Sequence, residues 1–179
     1  MRAALFACSL LVLASSATGA SARHLHVVQS LDPARFYSGT WYEIGRRPMS
    51  LTNGCVAGGT TYTLKERGEV EVLDFCHDGS PAGALKTIGG PAHIVDPGTN
   101  AKLHVSYRLF GVIPVPREYW VLERADDYSW FISADPSFHD LWIYTRDPHP
   151  TRGEVAALVT RARALGYDVG LLEFPSVGS

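Results

Sequence analysis

Charged side chains and long apolar runs are both scarce in this 179-residue sequence. Charged residues make up 19% of the chain, and 16 basic and 18 acidic residues leave a formal net charge of -2. This balance lacks the basic excess that is typical of nucleic-acid-binding proteins, so we expect no nucleic-acid partner. The longest apolar run, Ala3 to Ala14, is too short for a helix that spans a bilayer.

Motifs for catalysis and for metal binding are also missing. The sequence contains no G-x-S-x-G nucleophile elbow, no P-loop, no H-E-x-x-H zinc motif and no glycine-rich dinucleotide fingerprint. The seven histidines are scattered, and no His or Cys pairs lie at metal-ligand spacing. We therefore expect neither an enzyme nor a bound metal or other cofactor.

The N-terminal segment has the features of an export signal. Arg2 supplies a positive charge, Ala3 to Ala14 form an apolar segment, and Ala20 and Ala22 are the small residues that signal peptidase requires. We expect a signal peptide at residues 1–22 and a single domain at residues 23–179, which would be periplasmic, associated with the outer membrane or secreted. The alternatives are a lipid anchor on Cys8 or an N-terminal core helix.

Export would leave Cys55 and Cys76 as the only cysteines of the mature chain. An even number of cysteines in an oxidising compartment favours a disulfide, which would stabilise the fold by roughly 3 kcal/mol. A nucleophilic or metal-binding pair is the alternative.

Most of the remaining chain alternates apolar and polar side chains with the period of two that is typical of β-strands. In residues 102–108, Leu103, Val105 and Tyr107 share one face. Further strands are expected in residues 60–64, 69–74, 119–123, 129–133 and 141–145, separated by turns rich in Asp, Gly and Pro. About eight such strands predict an all-β antiparallel meander, closed as a barrel or stacked as a sandwich.

One segment near the C-terminus has a helical pattern instead. Thr151 and Glu154 match a capping box, apolar residues then recur at helical spacing as far as Leu165, and Gly166 follows as a stop signal. We expect a helix of about 14 residues that packs its single apolar stripe on the outside of the sheet. Pro33 indicates a shorter helical turn before the first strand.

Three short motifs resemble the signature of the lipocalin family. They are Gly-Thr-Trp-Tyr-Glu at residues 39–43, Asp-Tyr at residues 127–128, and the run from Leu141 to Pro148 before the helix. The resemblance covers residues 31–175 and is strongest to the bacterial and apolipoprotein D-like branch. It implies an eight-stranded antiparallel up-and-down β-barrel with one C-terminal α-helix packed outside. It also implies that the protein binds and transports, or stores, a small hydrophobic ligand such as a fatty acid or lysophospholipid.

The same resemblance gives two of these residues a structural role. In lipocalins an arginine, here Arg146, packs over the indole of the first-strand tryptophan, here Trp41, at the narrow end of the barrel. Such a cation–π contact is worth about 0.5–2 kcal/mol, and we expect neither residue to contact ligand.

The inner face of the barrel is the expected ligand site. Strand alternation and the resemblance together assign these residues to it: Tyr62, Leu64, Val70, Val72, Leu103, Val105, Tyr107, Tyr119, Val121, Trp142 and Tyr144. Each could instead be an ordinary core residue, since the lower half of such a barrel is filled. Glu43 and Asp74 share the inward parity and could bind a polar headgroup, and lipocalins often carry Asn in place of Asp74.

Two apolar segments, residues 47–51 and 110–115, are expected as loops at the open mouth. They could form a lid, a contact with a membrane, a dimer surface, or loops folded back on the barrel. The alternatives to a carrier are an envelope structural or stress protein with a filled barrel, a lipocalin-type enzyme and a haem carrier. Haem would require a lumenal histidine, whereas His104 lies on the outward parity of its strand.

Overall fold

Eight antiparallel strands close into a barrel in the computed structural model of the protein, which describes residues 26–175. The strands are β1 (Ser38–Arg46), β2 (Cys55–Leu64), β3 (Glu69–Asp78), β4 (Leu85–Ile94), β5 (Lys102–Leu109), β6 (Ile113–Arg124), β7 (Trp130–Ala134) and β8 (Leu141–Thr145). Each strand pairs with the next, and β8 pairs with β1. The expected up-and-down barrel is confirmed, while the proposed signal peptide and Cys8 lie outside the described residues.

Both expected helices are present. Helix α1 (Pro33–Phe36) is capped at its N-terminus by Asp32, whose side chain accepts a hydrogen bond from Ala34 N. Helix α2 (Arg152–Ala164) begins with a complete capping box between Thr151 and Glu154, and Gly166 follows it with a φ of +92°. Single turns of 3-10 helix lie at Ser50–Thr52, Glu66–Gly68 and Val169–Leu171. In the described part of the chain, no helix has the length and apolar character needed to cross a bilayer.

The hydrophobic core has two parts, one inside the barrel and one outside. The inner part surrounds Trp41 and Phe36, and it includes the inward side chains of β3 and β5. The outer part lies between the barrel wall and α2, where Leu158 and Ala162 pack with Ile132 and Ile143. The single apolar stripe of the helix therefore covers the outside of the sheet, as expected.

The ends of the barrel differ. The closed end carries α1 and Trp41, whereas the loops 47–54, 79–84, 110–112 and 135–140 form the opposite end, which we call the mouth. A disulfide joins Cys55 of β2 to Cys76 of β3 near the mouth, with Cα atoms 5.4 Å apart, so the predicted pairing is confirmed.

Two sequence expectations need correction. The apolar segment 110–115 is a loop only over residues 110–112, because Ile113, Pro114 and Val115 already pair with β5. Proline is tolerated there because β7 pairs with β6 only from Trp120 onward, so this part of β6 is an edge. The second correction concerns β4, because the alternation of apolar and polar residues did not predict a strand over Leu85–Ile94.

Candidate functional site

The closed end of the barrel contains the expected stack of Arg146 on Trp41. The guanidinium carbon lies 3.5 Å from the centroid of the indole. Arg146 Nη1 also donates to Thr40 O at 2.8 Å, and Nη2 donates to Arg35 O at 3.0 Å. Trp41 Nε1 donates to Phe36 O, which attaches α1 to the bottom of the barrel. This end is filled by side chains, so neither Trp41 nor Arg146 lines the cavity described next.

A cavity of about 260 Å³ occupies the upper half of the barrel and reaches the mouth. Its wall includes all the aromatic residues that the sequence assigned to the ligand site, namely Tyr62, Tyr107, Tyr119, Trp142 and Tyr144. Trp142 packs edge-on against Tyr119 with ring centroids 5.1 Å apart, and Tyr144 stacks on Phe131 at 4.8 Å. The aromatic candidates are thus brought together around one space.

The aliphatic candidates lie below this space. Val70, Val72, Leu103, Val105 and Val121 are buried in the inner core, and Leu64 packs against the same core. They fill the barrel below the cavity, a region that we call the packed floor, and they are absent from the cavity lining. Alternation identifies the inward face correctly for both groups, but it contains no information on depth along the barrel axis. Whether any of these residues contacts a ligand stays a prediction.

A hydrogen-bonded row of polar groups crosses the cavity wall at Asp74. The Tyr107 hydroxyl donates to Asp74 Oδ2 at 2.6 Å and lies 3.0 Å from the Tyr119 hydroxyl. Burial raises the pKa of Asp74, and the hydrogen bond from Tyr107 partly opposes that rise. Burial, followed by the charge of Asp74, raises the pKa of Tyr107 and of Tyr119, so both phenols keep their protons.

Glu43 lines the same cavity and is paired with a buried arginine. Arg46 Nη1 donates to Glu43 Oε1 at 2.5 Å, and Arg46 Nε donates to Glu173 Oε1 at the same distance. Arg46 Nη2 donates to the carbonyls of Thr52 and Cys55, which lie in or beside the loop over the mouth. Burial raises the pKa of Glu43 to about 7, although the charge of Arg46 acts to lower it.

Arg46 is a buried cavity residue that strand alternation missed. Continuing from Trp41 and Glu43 with a period of two would place Gly45 inside and Arg46 outside. The pairing of β1 with β8 shifts between Glu43 and Gly45, and this bulge turns Arg46 inward, leaving it only 4% exposed. Thr60 and Arg117, by contrast, also line the cavity and lie two residues from Tyr62 and Tyr119, so the same alternation could have found them.

Apolar side chains surround the mouth. Phe110 is 85% exposed and Val112 is 74% exposed, and Leu51, Leu85 and Ile113 are also exposed at this end. Cations are present as well, because Lys86 and Arg117 line the outer part of the cavity. Lys86 is paired with Asp78 at 2.7 Å.

None of the histidines within residues 26–175 lines the cavity. His104 lies on the outer face, where its ring packs beside that of His93 at 5.1 Å between centroids. Within residues 26–175, no group of three or more His, Cys, Asp or Glu side chains is arranged to hold a metal ion.

Comparison with known proteins agrees with this architecture. A family model described as a lipocalin-like domain matches residues 31–176. The outer membrane lipoprotein Blc of Escherichia coli (strain K12) is 31% identical, covering 93% of this chain and 90% of that protein. Apolipoprotein D of Mus musculus is 31% identical over 89% and 88%. The solved structure of insecticyanin from the tobacco hornworm Manduca sexta has a TM-score of 0.66 at 18% identity and covers 86% of this chain and 84% of its own.

Proposed function

The chain belongs to the lipocalin family, and we propose that it binds one small hydrophobic ligand, a fatty acid or a lysophospholipid, in order to transport or store it. The observation that carries this proposal is the cavity of about 260 Å³ between the packed floor and the mouth. Its wall of large aromatic side chains would remove an acyl chain from water, and each buried methylene contributes about 0.8 kcal/mol.

A filled barrel with a purely structural role is the main alternative. A structural role would favour side chains that fill the upper half of the barrel as far as the mouth, as they fill the lower half. The open upper half supports a carrier instead. Binding without catalysis is proposed because the sequence has no recognised catalytic motif and because Cys55 and Cys76 are joined in the disulfide.

A fluorescent fatty acid tests this function by titration into the purified protein. We expect saturable binding, and we expect Trp142→Ala to weaken it by at least about tenfold because that indole forms part of the cavity wall. Tyr144→Ala should also weaken it. Trp130→Ala is the matched control, since Trp130 packs on the outer wall beneath Arg161. Absence of saturable binding, or equal affinities for the Trp142 and Trp130 variants, would contradict the proposal.

Export to the cell envelope or the extracellular space is part of the proposal. It is supported by the signal-like residues 1–22 and by the disulfide, because disulfides persist in oxidising compartments. Cleavage after Ala22 during secretion would support it. An intact N-terminus on a protein retained in the cytoplasm would contradict it.

We also propose that the apolar mouth touches a membrane when ligand is exchanged. Five exposed apolar side chains lie at this end, and Phe110 is the most exposed of them. The test is co-sedimentation with phosphatidylcholine vesicles, which a Phe110→Ser, Val112→Ser variant should reduce. Failure to bind vesicles together with a dimer in sedimentation equilibrium would assign the surface to self-association instead.

A further inference from the structure

Asp74 is a half-buried carboxyl group in the cavity wall, shielded from bulk solvent by the barrel, and it has no cationic partner among residues 26–175. Within this described part of the chain, its only hydrogen bond of good geometry comes from the Tyr107 hydroxyl, and it takes part in none of the ion pairs. Glu43, in contrast, is paired with Arg46. A buried carboxylate without a counter-ion is unfavourable, so a positively charged group in the cavity would stabilise Asp74.

Aromatic rings surround the space next to Asp74. Tyr107 and Tyr119 are joined through their hydroxyls, and Trp142 packs against Tyr119. Tyr62 and Tyr144 line the same cavity. Rings and a carboxylate around one space form the environment that proteins use to recognise ammonium groups, because the negative faces of the rings attract a cation.

The hydroxyl of Thr60 adds a second polar group to the wall beside Asp74. Thr60 is 2% exposed and lines the cavity, on the strand next to Asp74 and directly opposite it. Its Oγ1 has no hydrogen bond of good geometry in the described part of the chain, although weaker hydrogen bonding from this hydroxyl acts to lower the pKa of Asp74 and of Tyr62. A buried hydroxyl costs free energy unless it is hydrogen-bonded, and an N–H donor of a ligand would satisfy it.

A carboxylate headgroup, in contrast, would be destabilised at the depth of Asp74. It would be placed among Asp74 and Glu43, and like charges in a buried space repel each other. Three cations line the cavity. Arg46 is buried but is already paired with Glu43 and Glu173. Lys86 and Arg117 lie in the exposed outer part, and Lys86 is already paired with Asp78.

We propose that the cavity selects single-chain amphiphiles whose headgroup carries an ammonium group. The ammonium group lies between Asp74 and the rings of Tyr107, Tyr119 and Trp142, and the hydrocarbon chain runs outward past Met49 and Leu51 to the mouth. The inference rests on the proposed carrier function and ranks its ligands, placing ammonium-bearing lipids above fatty acid anions.

The test compares three ligands with the same hydrocarbon chain, namely dodecylammonium, dodecanoate and dodecanol. Each displaces N-phenyl-1-naphthylamine from the purified protein, below its critical micelle concentration and at about pH 8, where the ammonium group and ordinary carboxyls are charged. We expect dodecylammonium to compete at a concentration at least about tenfold below that of dodecanoate, with dodecanol between them.

Asp74→Asn should remove this preference, because the amide keeps the size of the side chain but not its charge. Asp126→Asn is the matched control, since Asp126 is exposed in the loop between β6 and β7 at the closed end, away from the cavity. If Asp74→Asn does not fold, the order in which the wild-type protein binds the three ligands still tests the inference. Equal or tighter binding of dodecanoate by the wild type overturns this inference and leaves the carrier function standing. If the probe and all three ligands fail to bind, the carrier function itself fails.

Discussion

At the scale of single residues, the closed end of the barrel is organised by Trp41. Its indole is fully buried, lies under Arg146 and donates a hydrogen bond to α1. Phe131 packs edge-on against it with ring centroids 4.7 Å apart. The Trp41 side chain therefore connects β1 to β7, to Arg146 directly after β8, and to α1.

Trp41→Ala should lower the free energy of unfolding by about 3–5 kcal/mol, because it opens a cavity in the closed end and leaves the guanidinium without its ring. Chemical denaturation measures the loss. Trp120→Ala is the matched control, since Trp120 is partly exposed on the outer wall beneath Lys102. A loss at Trp41 no larger than the loss at Trp120 would contradict the structural role.

Ionisation of Glu43 makes the free energy of unfolding depend on pH. Burial raises the pKa of Glu43 from an ordinary 4.5 to about 7, so the folded state keeps a proton that the unfolded chain has already lost in this range. The contribution of Glu43 to the free energy of unfolding therefore falls as the pH rises from about 4.5 to about 7.

Glu43→Gln cannot ionise and should lack this slope. Relative to the wild type, the variant should gain stability on the order of 2–3 kcal/mol as the pH rises across that range. Urea denaturation between pH 4 and pH 8 checks the difference, with Glu71→Gln on the exposed outer face as control. Parallel curves for the wild type and Glu43→Gln would be inconsistent with a raised pKa.

The inward residues were predictable from the sequence, but their depth was not. Tyr62 and Leu64 share one face of β2, yet the first lines the cavity and the second packs in the floor. Depth depends on how strands are staggered around the barrel, which is a property of the closed sheet. Arg46 was hidden by the bulge in β1, because alternation assumes unbroken pairing.

At the scale of elements, the sequence predicted the ends of a helix or strand correctly where particular residue types favour one backbone conformation. The capping box at Thr151 and Glu154 correctly marked the start of α2, and the strand expected at residues 141–145 has the bounds of β8. Strand β4 gave no such signal, because Gly89, Gly90 and Pro91 interrupt its alternation. A Cβ at Gly90 would lie 2.1 Å from Ser106 O, so close approach of β5 explains this glycine.

Thr151→Ala tests the start of the helix. The Thr151 hydroxyl accepts from Glu154 N, and the Glu154 carboxylate accepts from Thr151 N at 2.7 Å. Loss of the cap should cost about 1 kcal/mol in thermal or chemical unfolding. Thr160→Ala, inside the same helix and exposed, should cause no loss because alanine is the better helix former. Equal destabilisation by both variants would argue against the capping box.

At the scale of the whole molecule, the barrel is divided into a packed half and a hollow half. Side chains fill it from α1 up to the floor valines, and the cavity begins where the tyrosines and Trp142 replace them. The lipocalin motifs predicted the closed sheet and its narrow end because their residues lie there. The polar residues Thr60, Asp74, Tyr107 and Tyr119 of the hollow half lie outside those motifs, which is why its ligand preference needed the three-dimensional arrangement.

The central claim is that the hollow half holds one amphiphilic molecule. Isothermal titration calorimetry of the purified protein with a single-chain lysophospholipid, below its critical micelle concentration and at several temperatures, tests it most directly. We expect one molecule per chain and a negative heat-capacity change, the mark of apolar surface leaving water. Heat without saturation, or several molecules per chain, would indicate adsorption to the outer surface and contradict the claim.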